Sequence, residues 1–124
     1  MRAVASLPYL EDAWTRCASE ARAAFGQDAL YVEELLDQAR HVEVQIVGDG
    51  SGAVSHIGER ECSIQRRRQK LVEVAPSPHP SPALRAAITG ATARMAEAVR
   101  YRGLGTFEFL VNDDRFVFIE ANPR

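Results

Sequence analysis

The sequence predicts an α+β fold, a largely antiparallel sheet with two helices packed on it. Two stretches repeat apolar residues at the helical period, and several short segments alternate apolar with polar residues at the strand period. Neighbouring strand segments are joined by tight turns, which antiparallel pairs accept and parallel pairs cannot use. The 124 residues are nearly half apolar and about a quarter charged, enough for one globular domain with a modest core.

From Pro8 the residues Leu10, Trp14, Cys17, Ala21 and Phe25 recur at spacings of three and four. Gly26 then offers a left-handed stop, so the spacing predicts an amphipathic helix. Residues 30–36, "LYVEELL", start β-prone and pass into a polar connection at 37–40. "HVEVQIV" alternates strictly, with Val42, Val44 and Ile46 on one face and His41, Glu43 and Gln45 on the other. "GDGSG" supplies a turn and "AVSHIG" a return strand. "ERECSIQRRRQK" is polar and basic, "LVEVA" is a further short strand, and "PSPHPSP" is a connector too short to separate domains. Ser81 can cap and Pro82 can occupy the first turn of a second helix with the stripe Leu84, Ile88, Ala91, Met95 and Ala98. "YRGLG" ends that helix, and a hairpin closes the chain.

The net charge of −2 gives no global field for nucleic acid or an anionic membrane surface, and no apolar run approaches a membrane span. Cys17 and Cys62 lie far apart without metal-ligand spacing, and no secretory-type leader precedes them, so a reduced cytoplasmic protein is expected. The helical pattern begins almost at once and "ANPR" follows a strand directly, which suggests a piece of a longer protein.

The final hairpin, "FEFLVNDDRFVFIEANPR", carries two acids among apolar residues. If it turns around Asp113, Asp114 and Arg115, Leu110 opposes Phe118 and Glu108 opposes Glu120; a two-residue turn at Asp113 and Asp114 sends the acids to opposite faces. Like charges across a sheet need compensation. A divalent cation such as magnesium supplies it through hard oxygen ligands, and Asn122 adds a neutral oxygen on the same face. The plainer alternative is two glutamates that reach solvent from an edge hairpin. "QRRRQK" likewise has three readings: a nucleic-acid patch, which lacks interleaved aromatics; a solvated charge run; or cations that meet a polyphosphate bridged to the metal. His41, Glu43 and Gln45 taken alone suit solvent exposure. His56 and His79 fit surface or loop positions, no histidine has a partner at zinc-ligand spacing, and no P-loop or nucleophile-elbow motif occurs.

The strings "RHVEVQIVGDG", "ERECSIQRRRQKLVEVAP", "YRGLGTFEFL" and "FIEANPR", in this order, resemble the ATP-grasp region of biotin carboxylases over essentially the whole chain. That family includes the biotin-carboxylating parts of acetyl-CoA, propionyl-CoA and pyruvate carboxylases and is similar to the carbamoyl-phosphate synthetase large chain. The resemblance implies an ATP-grasp fold and a reaction in which ATP phosphorylates bicarbonate to carboxyphosphate, whose carbon dioxide is captured by biotin. It implies that Glu108 and Glu120, assisted by Asn122, hold magnesium or manganese, and that Lys70 and Arg124 stand near bicarbonate and carboxyphosphate. Glu33, Glu34 and Leu36 match the segment that meets adenine. His41 and Gln65 match residues lining the ribose and phosphate region. Arg68 stands where the family commonly has histidine, which removes an imidazole but leaves a cation for phosphate; Pro123 replaces a frequent serine or threonine.

The family's N-terminal lobe, glycine-rich lid and an upstream lysine would precede Met1, and its general-base glutamate would follow Arg124. Residues 1–124 are therefore expected to be a partial ATP-grasp domain, inactive alone. Its expected ligands are ATP and bicarbonate. Its expected partners are the biotin carboxyl carrier and carboxyltransferase parts of the full-length family, with a homo-oligomer possible in assembly. Two other functions stay open: a non-catalytic protein-interaction domain, and the ATP-grasp part of a carbamoyl-phosphate synthetase-like ligase.

Overall fold

The computed structural model describes residues 2–124 and divides into two compact units, one ending at Leu35 and one running from Leu36 to Arg124. The first unit holds a short 3-10 turn, Leu7–Tyr9, and helix α1, Leu10–Phe25. Gly26 closes α1 at φ 73, the left-handed conformation that the sequence assigned to it, and its N–H bonds to Arg22 O at 2.9 Å. The apolar stripe is real but shallow. No residue of α1 is buried, and Trp14 remains 43% exposed.

The second unit contains β1 (Arg40–Asp49), β2 (Val54–Arg66), β3 (Gln69–Val74), α2 (Pro82–Ala98), β4 (Arg102–Asn112) and β5 (Arg115–Pro123). The strands form one antiparallel sheet in the order β3-β2-β1-β4-β5. Val42, Val44 and Ile46 of β1 and Phe107, Phe109 and Val111 of β4 form one face, on which α2 lays Leu84, Ile88 and Ala96. Each large side chain buried there contributes about 2 kcal/mol. At Gly105 the backbone must be bare, because a Cβ there would lie 2.1 Å from the Tyr101 hydroxyl oxygen.

Helix α2 starts as expected: the Ser81 hydroxyl oxygen accepts from Leu84 N–H at 3.2 Å, a cap contributing about 1 kcal/mol. Its buried face is rotated from the expected stripe. Leu84 and Ile88 are buried, but Ala98 is exposed, and Thr89, Thr92 and Ala96 are buried instead. The two threonines fit because their hydroxyls donate to the helix's own carbonyls, Arg85 O at 3.0 Å and Ile88 O at 2.9 Å.

Residues 30–36 form no strand, since no neighbouring strand completes a ladder with them. The polar stretch 59–66 is strand: it extends β2, and Arg67 and Arg68, at φ 51 and 66, make the tight turn into β3.

The closing hairpin has a two-residue turn, with Asn112 opposite Arg115 and Asp113 at φ 50. Phe118 therefore faces Phe109 rather than Leu110. A bulge then restores what that turn alone would forbid. The register shifts between Phe109 and Glu108, Ile119 is the extra residue, and Glu108 faces Glu120 after all.

Candidate functional site

Alternation along β1 and β4 fills the second sheet face with polar side chains. His41, Glu43 and Gln45 stand opposite Leu110, Glu108 and Thr106 across the β1–β4 ladder. Without the bulge, β5 would continue the alternation of Phe116 and Phe118 and turn Glu120 and Asn122 toward the apolar side. With it, both join Glu108.

These residues are not solvated bystanders. Glu43 and Glu108 are 2% and 4% exposed, which overturns the expectation that the β1 polar residues face solvent. Lys70 binds both: its Nζ donates to Glu43 Oε2 at 2.5 Å and to Glu108 Oε1 at 2.6 Å. Arg60 Nε donates to Glu43 Oε1 at 2.8 Å, and the same guanidinium reaches Gln45 Oε1 at 3.2 Å and Glu73 at 3.2 Å. Two cations thus compensate the buried carboxylate of Glu43. Burial alone would push that carboxyl up, but the hydrogen bonds from Lys70 and Arg60 outweigh it and hold the group below its ordinary value. Lys70 mirrors this: burial lowers its ammonium, while hydrogen bonds to Glu108 and Glu43 raise it above the usual lysine value. Burial pushes the nearby Cys62 thiol up to about 12, so it stays protonated.

His41 is oriented from both sides. Its Nε2 lies 2.5 Å from Glu108 Oε2, and Gln65 Nε2 lies 2.7 Å from its Nδ1 while donating to Cys62 O at 2.9 Å. The amide that donates to Cys62 O offers its second hydrogen to Nδ1, so the ring proton sits on Nε2 and is donated to Glu108. Asn122 completes the arrangement from β5: its Nδ2 donates to Glu108 Oε1 at 2.8 Å and to Glu120 Oε1 at 3.1 Å. This differs from the neutral oxygen expected of it. Here the amide nitrogen, not the oxygen, lies between the acids.

The network carries the carboxylates of Glu43, Glu73, Glu108 and Glu120 against the fixed cations of Arg60 and Lys70. A divalent cation would balance the excess of acid. The donor set fits one: both carboxylates reach a shared Asn122 nitrogen, Glu120 is exposed, and turning the amide would bring a third hard oxygen to the same point.

The structure thus brings together Lys70, His41, Gln65, Glu108, Glu120 and Asn122. Arg68 is exposed in the β2–β3 turn, and Arg124 is exposed just after β5, its N–H bonded to Leu104 O at 2.9 Å. Glu33 and Glu34 are exposed in the first unit, and Leu36 is half-buried at the start of the second. Sequence reasoning passed over Glu43 and Arg60 as functional residues. Their signal was the strict alternation that puts Glu43 beside His41, but their pairing needs the β1–β2 register, in which Glu43 faces Arg60. His56 and His79 are exposed, as expected. No helix among the described residues is long and apolar enough to cross a membrane.

A family model described as carbamoyl-phosphate synthase L chain, ATP binding domain, matches residues 1–124. The chain is 51% identical over 124 residues to pyruvate carboxylase of Bacillus subtilis, covering all of this chain and 11% of that protein. It is similar to the crystal structure of a biotin carboxylase–β,γ-ATP complex from Campylobacter jejuni, with a TM-score of 0.88 and 44% identity over all of this chain and 28% of that one. The biotin carboxylase domain dimer of Hydrogenobacter thermophilus 2-oxoglutarate carboxylase, in complex with MgADP, ADP and bicarbonate, aligns at a TM-score of 0.80 and 39% identity, covering 94% of this chain and 26% of that one.

Proposed function

Since the chain belongs to the family of the carbamoyl-phosphate synthase L chain ATP-binding domain, we propose that its polar sheet face is the cation and phosphate site of a biotin carboxylase of the pyruvate carboxylase type. Its sheet and helices are part of the ATP-grasp fold. The proposed reaction is phosphorylation of bicarbonate by ATP to carboxyphosphate, followed by carboxylation of biotin. The names of the relatives favour the pyruvate carboxylase type over acetyl-CoA and propionyl-CoA types and over a carbamoyl-phosphate-forming ligase.

The observation that carries this reading is the facing pair Glu108 and Glu120, drawn onto one polar face by the bulge at Ile119. Glu108, Glu120 and a turned Asn122 would hold magnesium or manganese. When bound, such a cation screens the phosphate oxygens and holds them for in-line transfer. Lys70 and Arg124 supply positive charge where bicarbonate, an anion, must attack the anionic γ-phosphate of ATP, and where the carboxyphosphate so formed is held. His41, held by Gln65, donates a hydrogen bond to Glu108 and so orients that carboxylate. Arg68 supplies a cation for phosphate, and Glu33, Glu34 and Leu36 the adenine contacts, largely through backbone groups.

The chain spans 11% of the Bacillus subtilis relative. Its relations to a biotin carboxyl carrier, to carboxyltransferase parts and to a second copy of itself are therefore part of the proposal, as is its inactivity by itself. A reducing, cytoplasmic setting is consistent with two free cysteines. Calorimetric titration with ATP, with and without magnesium, tests the reading. Binding that requires magnesium and disappears in Glu108→Ala/Glu120→Ala is expected; affinity unchanged by that double substitution would refute it.

A further inference from the structure

Thr106 carries a hydroxyl that the polar face leaves unused. The residue lies on β4 two positions before Glu108, on the same side of the sheet, and is 3% exposed. Its Oγ1 is buried without a hydrogen-bond partner among the described residues. Buried polar atoms are nearly always satisfied, so an orphan beside a candidate binding site points to a partner supplied in another state.

Its cross-strand neighbours are Gln45 on β1 and Asn122 on β5. The Gln45 amide is committed at both ends, donating to Gly105 O at 2.8 Å and accepting from Arg60 at 3.2 Å. The commitments of Asn122 are conditional. Its Nδ2 is spent on Glu108 and Glu120, the two carboxylates a cation would claim. A cation on those oxygens competes with the amide N–H for them and attracts the amide oxygen, so the NH2 group must find another acceptor. The buried hydroxyl across the ladder can accept it.

We infer that Thr106 is a positioning residue for the cation site: as a divalent cation binds Glu108 and Glu120, Asn122 turns its amide oxygen toward the ion and donates its nitrogen to the Thr106 hydroxyl. The inference rests on the cation site proposed above. Hydrogen bonds are exchanged and no covalent bond changes. Removing the hydroxyl penalises the cation-bound state alone, because in the cation-free state the unpartnered buried hydroxyl is a desolvation cost and not a stabilising bond.

The test uses the full chain, manganese chloride or magnesium chloride as the probe, and calorimetry together with NMR of the Asn122 side-chain NH2. Thr106→Val should weaken manganese binding about tenfold, the effect of one lost buried hydrogen bond. Thr106→Ser should restore it, and the melting temperature of Thr106→Val without cation should not fall. In the unsubstituted chain the Asn122 NH2 resonances should move on saturation with magnesium. Equal manganese affinity in Thr106→Val, or Asn122 resonances that do not move, would overturn the role of Thr106. If Thr106→Val fails to fold, the resonances of the unsubstituted chain decide. An unsubstituted chain that binds neither ion overturns the cation site itself, and the Thr106 role with it.

Discussion

The two faces of the sheet are made from alternate residues of the same strands, yet they are specified in different ways. On the α2 side, Val42, Val44, Phe107 and Phe109 need only to be apolar and of suitable size, and their neighbours adapt. On the opposite side each group has an assigned partner: Glu43 takes Lys70 and Arg60, while Glu108 takes Lys70, His41 and Asn122. Period alone builds the first face. The second depends on register, and a slip of one residue in β5 would dismantle it.

Breaking the apolar face should cost most in stability. Phe109, fully buried against Phe116 and Phe118, is expected to lose about 4 kcal/mol on Phe109→Ala, read from urea denaturation. A loss under about 1 kcal/mol would mean that the site collapses freely. On the polar face, Lys70→Met should cost about 3 kcal/mol, because two buried carboxylates lose their shared cation. Adding Glu43→Gln and Glu108→Gln should recover much of that loss. If the triple substitution is no more stable than Lys70→Met, packing rather than charge pairing governs this face.

Deleting Ile119 tests the facing pair apart from the bulge. In the shortened β5, Glu120 follows Phe118 directly, so unbroken pairing still sets Glu120 opposite Glu108 with Asn122 on the same side, and manganese affinity should stay within about threefold while circular dichroism still shows a folded sheet. A loss of about a hundredfold would show that the bulge geometry, and not the facing of the two acids, sets the site.

A smaller effect is expected from pH. The Glu43 carboxyl lies below its ordinary value of 4.5, so its pairing stabilises the fold above that pH and the contribution is lost as pH falls through the depressed value. Lys70 has the opposite sign: raised above 10.5, it stabilises fully below that pH and the contribution is lost as pH rises through the raised value. Glu43→Gln should flatten both limbs of a plot of melting temperature against pH, and a curve of unchanged shape would contradict the pairing. The least perturbing test is thiol labelling at neutral pH: half-buried Cys17 should react in the folded chain, and Cys62, fully buried with its thiol pushed up to about 12, only after unfolding.

The same contrast explains what the sequence disclosed. Alternation in "HVEVQIV" and the Ser81–Pro82 start of α2 are local signals, and both elements form as read. The stretch 59–66 read only as polar and basic, without a strand signal, because both its faces carry charge; as a strand it needs Glu43, Glu73 and Arg85 to supply partners for Arg60 and Glu59. Glu108 and Glu120 were legible as a pair, but for an incomplete reason. The expected three-residue turn is a two-residue one, and the acids meet through a bulge at Ile119, a β-branched residue that carries no local sign of one. Residues 30–36 show the reverse error, strand propensity without a neighbouring strand to pair with.

Paramagnetic broadening by manganese, followed residue by residue in NMR spectra of the whole chain, tests the central claim most directly. Substoichiometric manganese should erase the signals of Glu108, Glu120, Asn122 and Thr106 first, well before those of α2 on the opposite face of the sheet. Broadening spread evenly over the exposed acids, or centred away from the β4–β5 hairpin, would contradict it.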